Sequence, residues 1–171
     1  REVDKAEADR RPVDLGVLFQ YGAMLDRQGR HAEAERVFRQ VLARDPDHAP
    51  TLNYLGYTLV ERGGRLDEAV SLIKRAVALD PYNGAYLDSL GWAYFKQNQL
   101  DLAEPNLRAA AAQLPRDSVV QDHWGDWLAR SGRHAEAVEA WQRSLAGDGE
   151  QIDRAKIERK IADALNKLGK R

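Results

Sequence analysis

A segment of eight residues returns four times along the chain at almost constant intervals. Its copies are Leu18-Phe19-Gln20-Tyr21-Gly22-Ala23-Met24-Leu25, Leu52-Asn53-Tyr54-Leu55-Gly56-Tyr57-Thr58-Leu59, Leu87-Asp88-Ser89-Leu90-Gly91-Trp92-Ala93-Tyr94 and Gln121-Asp122-His123-Trp124-Gly125-Asp126-Trp127-Leu128. The glycines Gly22, Gly56, Gly91 and Gly125 stand 34, 35 and 34 residues apart. A repeat of this length is one supersecondary unit. It cannot bury its apolar face alone and must stack on the next copy. The extra residue has a local cause: Gly63-Gly64 stands where the other units have a single turn residue.

A second segment follows each glycine, its alanine 12 residues on in three units and 13 in the second, which holds Gly63-Gly64. Ala34 precedes Phe38, Ala69 precedes Ile73, Ala103 precedes Leu107 and Ala137 precedes Trp141, each by four residues. Pro46, Pro81 and Pro115 close the first three units, where a missing N–H costs a helix least. Within each unit, large apolar residues recur three and four apart, the stripe of a helix rather than the alternation of a strand. In the third unit Leu87, Leu90, Gly91 and Tyr94 share one face of a first helix. Leu100, Ala103, Leu107, Ala110 and Leu114 share one face of a second. The turn between them is Lys96-Gln97-Asn98-Gln99, and the equivalent turns carry Gly29, Gly63-Gly64 and Gly132, residues suited to the left-handed end of a helix. Each helix is about 12–14 residues, or ~20 Å, long. Small residues such as Gly22 and Ala34 fall where two helices cross, so the backbones can approach closely.

The pattern large-x2-Leu-Gly-x2-aromatic, then Ala-x3-large, then Pro, resembles the tetratricopeptide repeat family over roughly residues 15 to 151. The resemblance implies an all-α, right-handed superhelical solenoid of about four helix-turn-helix repeats with a C-terminal capping helix. The repeats are assigned to 15–48, 49–83, 84–117 and 118–151, preceded by a remnant or linker over 1–14 and followed by the cap over 152–171. In the cap, Ile157, Ile161, Ala164, Leu165 and Leu168 form one stripe while Arg154, Lys156, Glu158, Arg159 and Lys160 stay off it. The wording Asp88-Ser89-Leu90-Gly91-Trp92-Ala93-Tyr94, followed by Leu100-Asp101-Leu102-Ala103, looks like bacterial repeat proteins.

Three details depart from the pattern. Pro105 falls inside the third second-helix, where it is expected to remove one hydrogen bond and bend the helix. Gln121 replaces a large apolar residue, and Gly147-Asp148-Gly149 replaces the closing proline. Both suit a terminal unit that faces solvent. The charged stretch Arg1 to Arg11 reads as the frayed remnant of a preceding helix. With no initiator methionine, the chain reads as a fragment or processed form.

Composition narrows the function. The 26 basic and 27 acidic residues leave a net charge of −1, without the basic excess that phosphate backbones require, so no nucleic-acid partner is expected. No apolar run reaches the ~18 residues that span a bilayer, so no membrane insertion is expected. Without cysteine there is no disulfide or thiolate chemistry, which is compatible with cytoplasm or bacterial envelope alike. Phosphate-binding loops, His-Glu-x-x-His and nucleophile elbows are missing, and neither a catalytic residue, a metal site nor a cofactor is expected. His31 and His134 occupy matching turn positions three units apart. His48 falls in a linker and is expected to be solvated. Only His123 has acids nearby on its own helix, Asp122 and Asp126, and it is expected to be a hydrogen-bonded surface residue.

In the family this chain resembles, peptides lie along the concave surface formed by the first helices. Carried over position by position, that surface holds Phe19, Gln20 and Ala23; Asn53, Tyr54 and Tyr57; Asp88, Ser89 and Trp92; and Asp122, His123 and Asp126, edged by Lys96 and Arg130. Tyr57 and Trp92 share one repeat position and form an aromatic step, or else pack as spacers between adjacent helices. Asp88, Asp122 and Asp126 add negative charge, so the expected ligand is a protein or peptide with an apolar or aromatic side chain beside a basic one. Some relatives grip a terminal carboxylate with Lys and Asn. Here neither register, Phe19/Ala23–Tyr54–Ala85/Ser89 nor Asn53/Tyr57–Ser89–Val119/His123, supplies the lysines. An adaptor or scaffold within a larger multi-repeat protein is the leading reading, and self-assembly through the array ends is the alternative.

Overall fold

The computed structural model describes residues 13–148 and 152–169. The expected remnant over Arg1 to Arg11 lies outside them, as does Gly149. Among the described residues all regular structure is helical. The helices are α1 (Leu15–Arg27), α2 (His31–Arg44), α3 (Ala49–Glu61), α4 (Leu66–Leu79), α5 (Gly84–Lys96), α6 (Leu100–Gln113), α7 (Ser118–Arg130), α8 (His134–Ala146) and α9 (Arg154–Gly169). Consecutive helices pair as α1/α2, α3/α4, α5/α6 and α7/α8. The pairs stack in sequence, and α9 packs on α8. This is the all-α solenoid that the period predicts.

Local chemistry sets the helix boundaries. Each pair's first helix is opened by a side chain that accepts backbone N–H groups: Asp14, His48, Asn83 and Asp117. His48 is therefore a half-buried cap that bonds Thr51, a correction to its expected solvation. The turns within pairs use a left-handed residue, Gly29 at φ 76° and Gly132 at φ 78°. Asn98 takes this role in the third turn at φ 61°, as the short polar side chain of asparagine tolerates it. The residue added by Gly63-Gly64 is absorbed by a second left-handed residue, Arg65, at φ 54°.

The repeated glycine is the hollow into which the partner helix fits. A Cβ on Gly22, Gly56, Gly91 or Gly125 would stand 2.7, 2.5, 2.6 or 2.5 Å from Phe38, Ile73, Leu107 or Trp141 respectively. These are the large residues four beyond each small alanine, and all are buried. The crossing is thus a knob from the second helix seated on the bare backbone of the first. Two core clusters run the length of the array, one from α1 to α5 and one from α6 to α9, and Tyr94 and Phe95 pack against both.

The fourth pair corrects one expectation. Gln121 does not face solvent; it is 1% exposed. Its Nε2 donates to the Ala111 carbonyl at 3.0 Å and the Leu114 carbonyl at 3.3 Å, and its Oε1 accepts from Arg143 at 2.9 Å. The amide collects the carbonyls at the end of α6, which an apolar side chain would leave unbonded. Gly147 allows Asp148 to donate its N–H to the Arg116 carbonyl at 2.9 Å, because a Cβ there would meet that oxygen at 2.3 Å.

Ion pairs join the second helices. Glu35 on α2 accepts from Arg65 at 2.7 and 2.9 Å and from Arg39 at 2.8 Å, and Arg39 also reaches Glu68 at 2.7 Å. The hydrogen bond from Arg65, then that from Arg39, overcomes the cost of burial and lowers the Glu35 carboxyl to about 2.

Pro105 lies within α6, which continues through it. The ring removes the donor to the Asp101 carbonyl, and the position is exposed, so no packing compensates. Pro105→Ala is expected to stabilise the chain by about 1 kcal/mol or more. Urea denaturation followed by circular dichroism reads this directly. A lower midpoint would show that the proline shape is needed.

Candidate functional site

Successive first helices lie side by side, with direct contacts of α3 with α5 and α5 with α7, so their outward residues form one continuous face. Two clefts adjoin on it. One, of about 640 Å³, is lined by Asp26, Arg27, His31, Tyr54, Tyr57, Thr58, Glu61 and Arg62. The other, of about 370 Å³, lies between α5, α7 and the start of α9, with Tyr57, Trp92, Phe95, Asp122 and Asp126 among its walls. Tyr57 and Glu61 belong to both, because they stand one helical turn apart on α3.

An aromatic stack lines the second cleft. Trp92 is 7% exposed. It lies flat against His123 (centroids 3.9 Å apart, 12° between planes) and against Phe95 (5.0 Å, 8°). Its Nε1 donates to Glu61 Oε1 at 2.7 Å, and Lys96 Nζ lies 4.7 Å from the ring centre. Trp92 therefore packs between neighbours with its N–H already bonded.

His123 is buried, which corrects the expectation of a surface residue. Its Nδ1 pairs with Asp88 Oδ2 on α5 at 2.9 Å, rather than with either acid of its own helix. Asp122 and Asp126 are four apart and share a stripe of α7. His123 projects from another, toward the preceding first helix. Burial opposes the imidazolium, but the charge and hydrogen bond of Asp88, with smaller help from Asp122 and Glu61, outweigh it and raise the His123 pKa. Burial, reinforced by Glu61 and Asp88, holds the Tyr57 hydroxyl far above its ordinary value, so it remains a neutral donor.

The other two acids are also engaged. Lys160 of α9 bonds Asp122 at 2.8 Å and Asp126 at 2.5 Å. Trp141 Nε1 donates to Asp126 at 3.1 Å. Burial and the nearby Asp126 raise the Asp122 pKa, and Lys160 offsets part of that rise.

The remaining expected residues lie in the first two pairs. Phe19 meets Tyr54 edge-on at 5.8 Å and packs on Phe38 and His48. Tyr54 is half-buried over Phe38, with its hydroxyl 3.4 Å from Asp26. Asn53 is half-buried, and its Oδ1 has no partner among the described residues. The structure thus gathers Tyr57, Trp92, Asp122 and Asp126 around one cleft and puts Tyr54 in the other. Asp88 lies beneath the stack, and Phe19 and Asn53 line neither cleft. Sequence reasoning missed Glu61, Phe95, Lys156 and Lys160. Glu61 carried a signal, its place one turn beyond Tyr57. Lys160 carried none, since its helix assigned it to the solvent side. Among the described residues no group of three or more His, Asp and Glu side chains is placed to hold a metal ion, and no helix is long and apolar enough to cross a membrane.

Comparison with known proteins agrees with this architecture. The family pattern described as tetratricopeptide repeat matches residues 25–84. A repeat-containing protein of that type from Pseudomonas aeruginosa is 40% identical over 115 residues, covering 67% of this chain and 19% of that protein. The chain thus spans about a fifth of the length of this curated relative. A thermophilic tetratricopeptide repeat protein of Thermus thermophilus superimposes with a TM-score of 0.74 at 22% identity, over 91% of this chain and 84% of that one. A structure of MamA (MSR-1) gives 0.67 at 26% identity, over 91% and 87%.

Proposed function

We propose that this chain, an array of tetratricopeptide repeats and so a repeat scaffold of the protein-interaction kind, holds a segment of a partner protein along the face made by its first helices. The observation that carries the reading is the pair of adjoining clefts with Tyr57 and Glu61 in common. A channel joined in this way suits an extended segment better than a compact small molecule, because contacts continue from one unit to the next. The units proposed are 15–48, 49–83, 84–117 and 118–151, closed by 152–171.

Within this reading the eight residues expected from the sequence divide by position. Tyr54, Tyr57, Asp122 and Asp126 touch the ligand or its immediate surroundings. Trp92 and Asp88 hold the floor through the stack on His123. Phe19 and Asn53 extend the face toward the N-terminus. Aromatic side chains suit the task, since they offer large contact areas with few rotatable bonds.

A photo-crosslinking residue at Tyr57, compared with one at the exposed Ser71 on the second-helix side, tests the reading. A defined adduct is expected from position 57 and not from 71, and a Tyr54→Ala background should weaken it. Equal labelling from both positions would defeat the assignment of the face.

A further inference from the structure

We propose that the uncovered stripe of α1 formed by Val17, Tyr21 and Met24 is the docking site for one alanine-rich amphipathic helix of a partner protein. The stripe lines neither cleft, so this site is separate from the one proposed above.

The three residues stand four and three apart and so share one side of α1. They are 58%, 45% and 38% exposed. The repeat gives them counterparts in the later units. Those of Tyr21 are Leu55, Leu90 and Trp124, and those of Met24 are Thr58, Ala93 and Trp127. Apart from the half-buried Thr58, all are buried. The second helix of the preceding unit packs on each of these first helices: α2 on α3, α4 on α5 and α6 on α7. At α7 the contact reaches the backbone, since Trp127 Nε1 donates to the carbonyl of Leu100, the first residue of α6, at 2.9 Å. Among the described residues no helix stands in that place before α1.

The far end of the array is finished differently. There α9 covers α8 and exposes Glu158, Arg159, Asp163 and Lys167, with Leu165 as its one large apolar residue that is strongly exposed. Terminal units of a solenoid need such a polar outer face. The outer side of α1 is apolar instead, which marks a place of interaction.

The inside of the array states the shape of the occupant. On α3 the stripe is Thr51, Leu55 and Thr58, and α2 brings Val37 and Leu42 into the core beside it. On α7 it is Val120, Trp124 and Trp127, and α6 has alanine at five of its 14 positions, with Ala110 and Ala111 buried in the same cluster. Bulk on a first helix is thus matched by small residues on the helix that covers it, as close packing requires. Valine, tyrosine and methionine on α1 repeat the α7 pattern and call for a helix like α6. A second copy has no such helix to give, because α2, α4, α6 and α8 are each packed between two neighbours. Residues 1–12 carry eight charged side chains, with Val3, Ala6 and Ala8 too few to supply the stripe.

The test uses the whole chain and a fluorescein-labelled peptide with the sequence of residues 99–114, in which Pro105→Ala restores helix-forming character. Fluorescence anisotropy is expected to show saturable binding. Tyr21→Glu with Met24→Glu should weaken it at least about tenfold through lost apolar burial, while circular dichroism stays unchanged because both positions are exposed. A second peptide carrying Ala110→Leu and Ala111→Leu should bind at least about tenfold more weakly, because it overpacks the crossing. Failure of the alanine-rich peptide to bind, full affinity in the double variant, or equal affinity for the leucine peptide would each overturn the proposal. Sedimentation velocity of the chain alone supplies the remaining arm. A monomer is expected, and a dimer that is lost in the double variant would place a second copy on the stripe and overturn the proposal as well.

Discussion

Gly91→Ala is expected to destabilise the chain by about 2 kcal/mol, although alanine is the better helix former by roughly 1 kcal/mol. The added methyl would stand 2.6 Å from Leu107 Cγ and 2.9 Å from the Leu107 backbone nitrogen. A rotamer change can relieve the first contact. Only movement of α6 relative to α5 can relieve the second. Because α6 also carries Ala103, Ala110 and Ala111 into the core, that movement disturbs a whole row of packing. Gly64→Ala is the matched control. Nothing lies within 4 Å of its Cβ and its backbone is not left-handed. It should change stability by less than ~0.5 kcal/mol, or improve it slightly by restricting the unfolded chain. Urea midpoints for the two variants give the comparison. A Gly91→Ala midpoint at or above wild type would refute the close-crossing account.

Asp88→Asn should cost about 3 kcal/mol near pH 6, because it leaves the buried His123 without its counter-charge. Asp88 is 4% and His123 5% exposed, so water cannot substitute for the lost partner. The sign of the pH dependence follows from the raised His123 pKa. The stabilisation is complete below the unfolded value of 6.5 and disappears as pH rises through the higher folded value. The difference between wild type and Asp88→Asn should therefore narrow as pH rises above 6.5. Tyr57, Glu61 and Asp122 also influence this pair, so the same titration in a Glu61→Gln background checks that His123 is the group responsible. A difference that widens with pH would contradict the pairing. An Asp88→Leu, His123→Phe double variant should recover much of the loss, since both charges leave the interior together.

How much of this was legible in sequence depends on the range of the interaction. The glycine at 22, 56, 91 and 125 and the large residue four beyond each alanine are separated by a short, nearly constant stretch of chain. Their meeting follows from helix geometry, and so the solenoid was readable. The floor of the clefts was not. Glu61 with Trp92 and Asp88 with His123 are contacts between neighbouring units, and their geometry depends on the rotation from one pair to the next. No periodicity in a single sequence specifies that rotation. The same limit applies to the acids of this face. The acids were assigned to the correct first helices, but which cation each would meet could not be read, least of all Lys160, which returns from α9. Gln121 shows a related limit. A polar residue at an apolar position signalled exposure, while the carbonyl ends of α6 and the Arg143 guanidinium made it one of the most buried side chains.

The inter-unit bonds have a mechanical consequence. Arg65 to Glu35, Gln97 to Asp67, Trp92 to Glu61, Arg130 to Asn98 and Lys160 to Asp126 all link residues about one repeat apart, and no described contact ties one end of the array to the other. Loaded from its two ends, such a chain stretches like beads on an elastic cord, each joint bearing the same tension. Extension then begins at the weakest joint while the others keep their shape, so a small pull changes the curvature of the array before any helix melts.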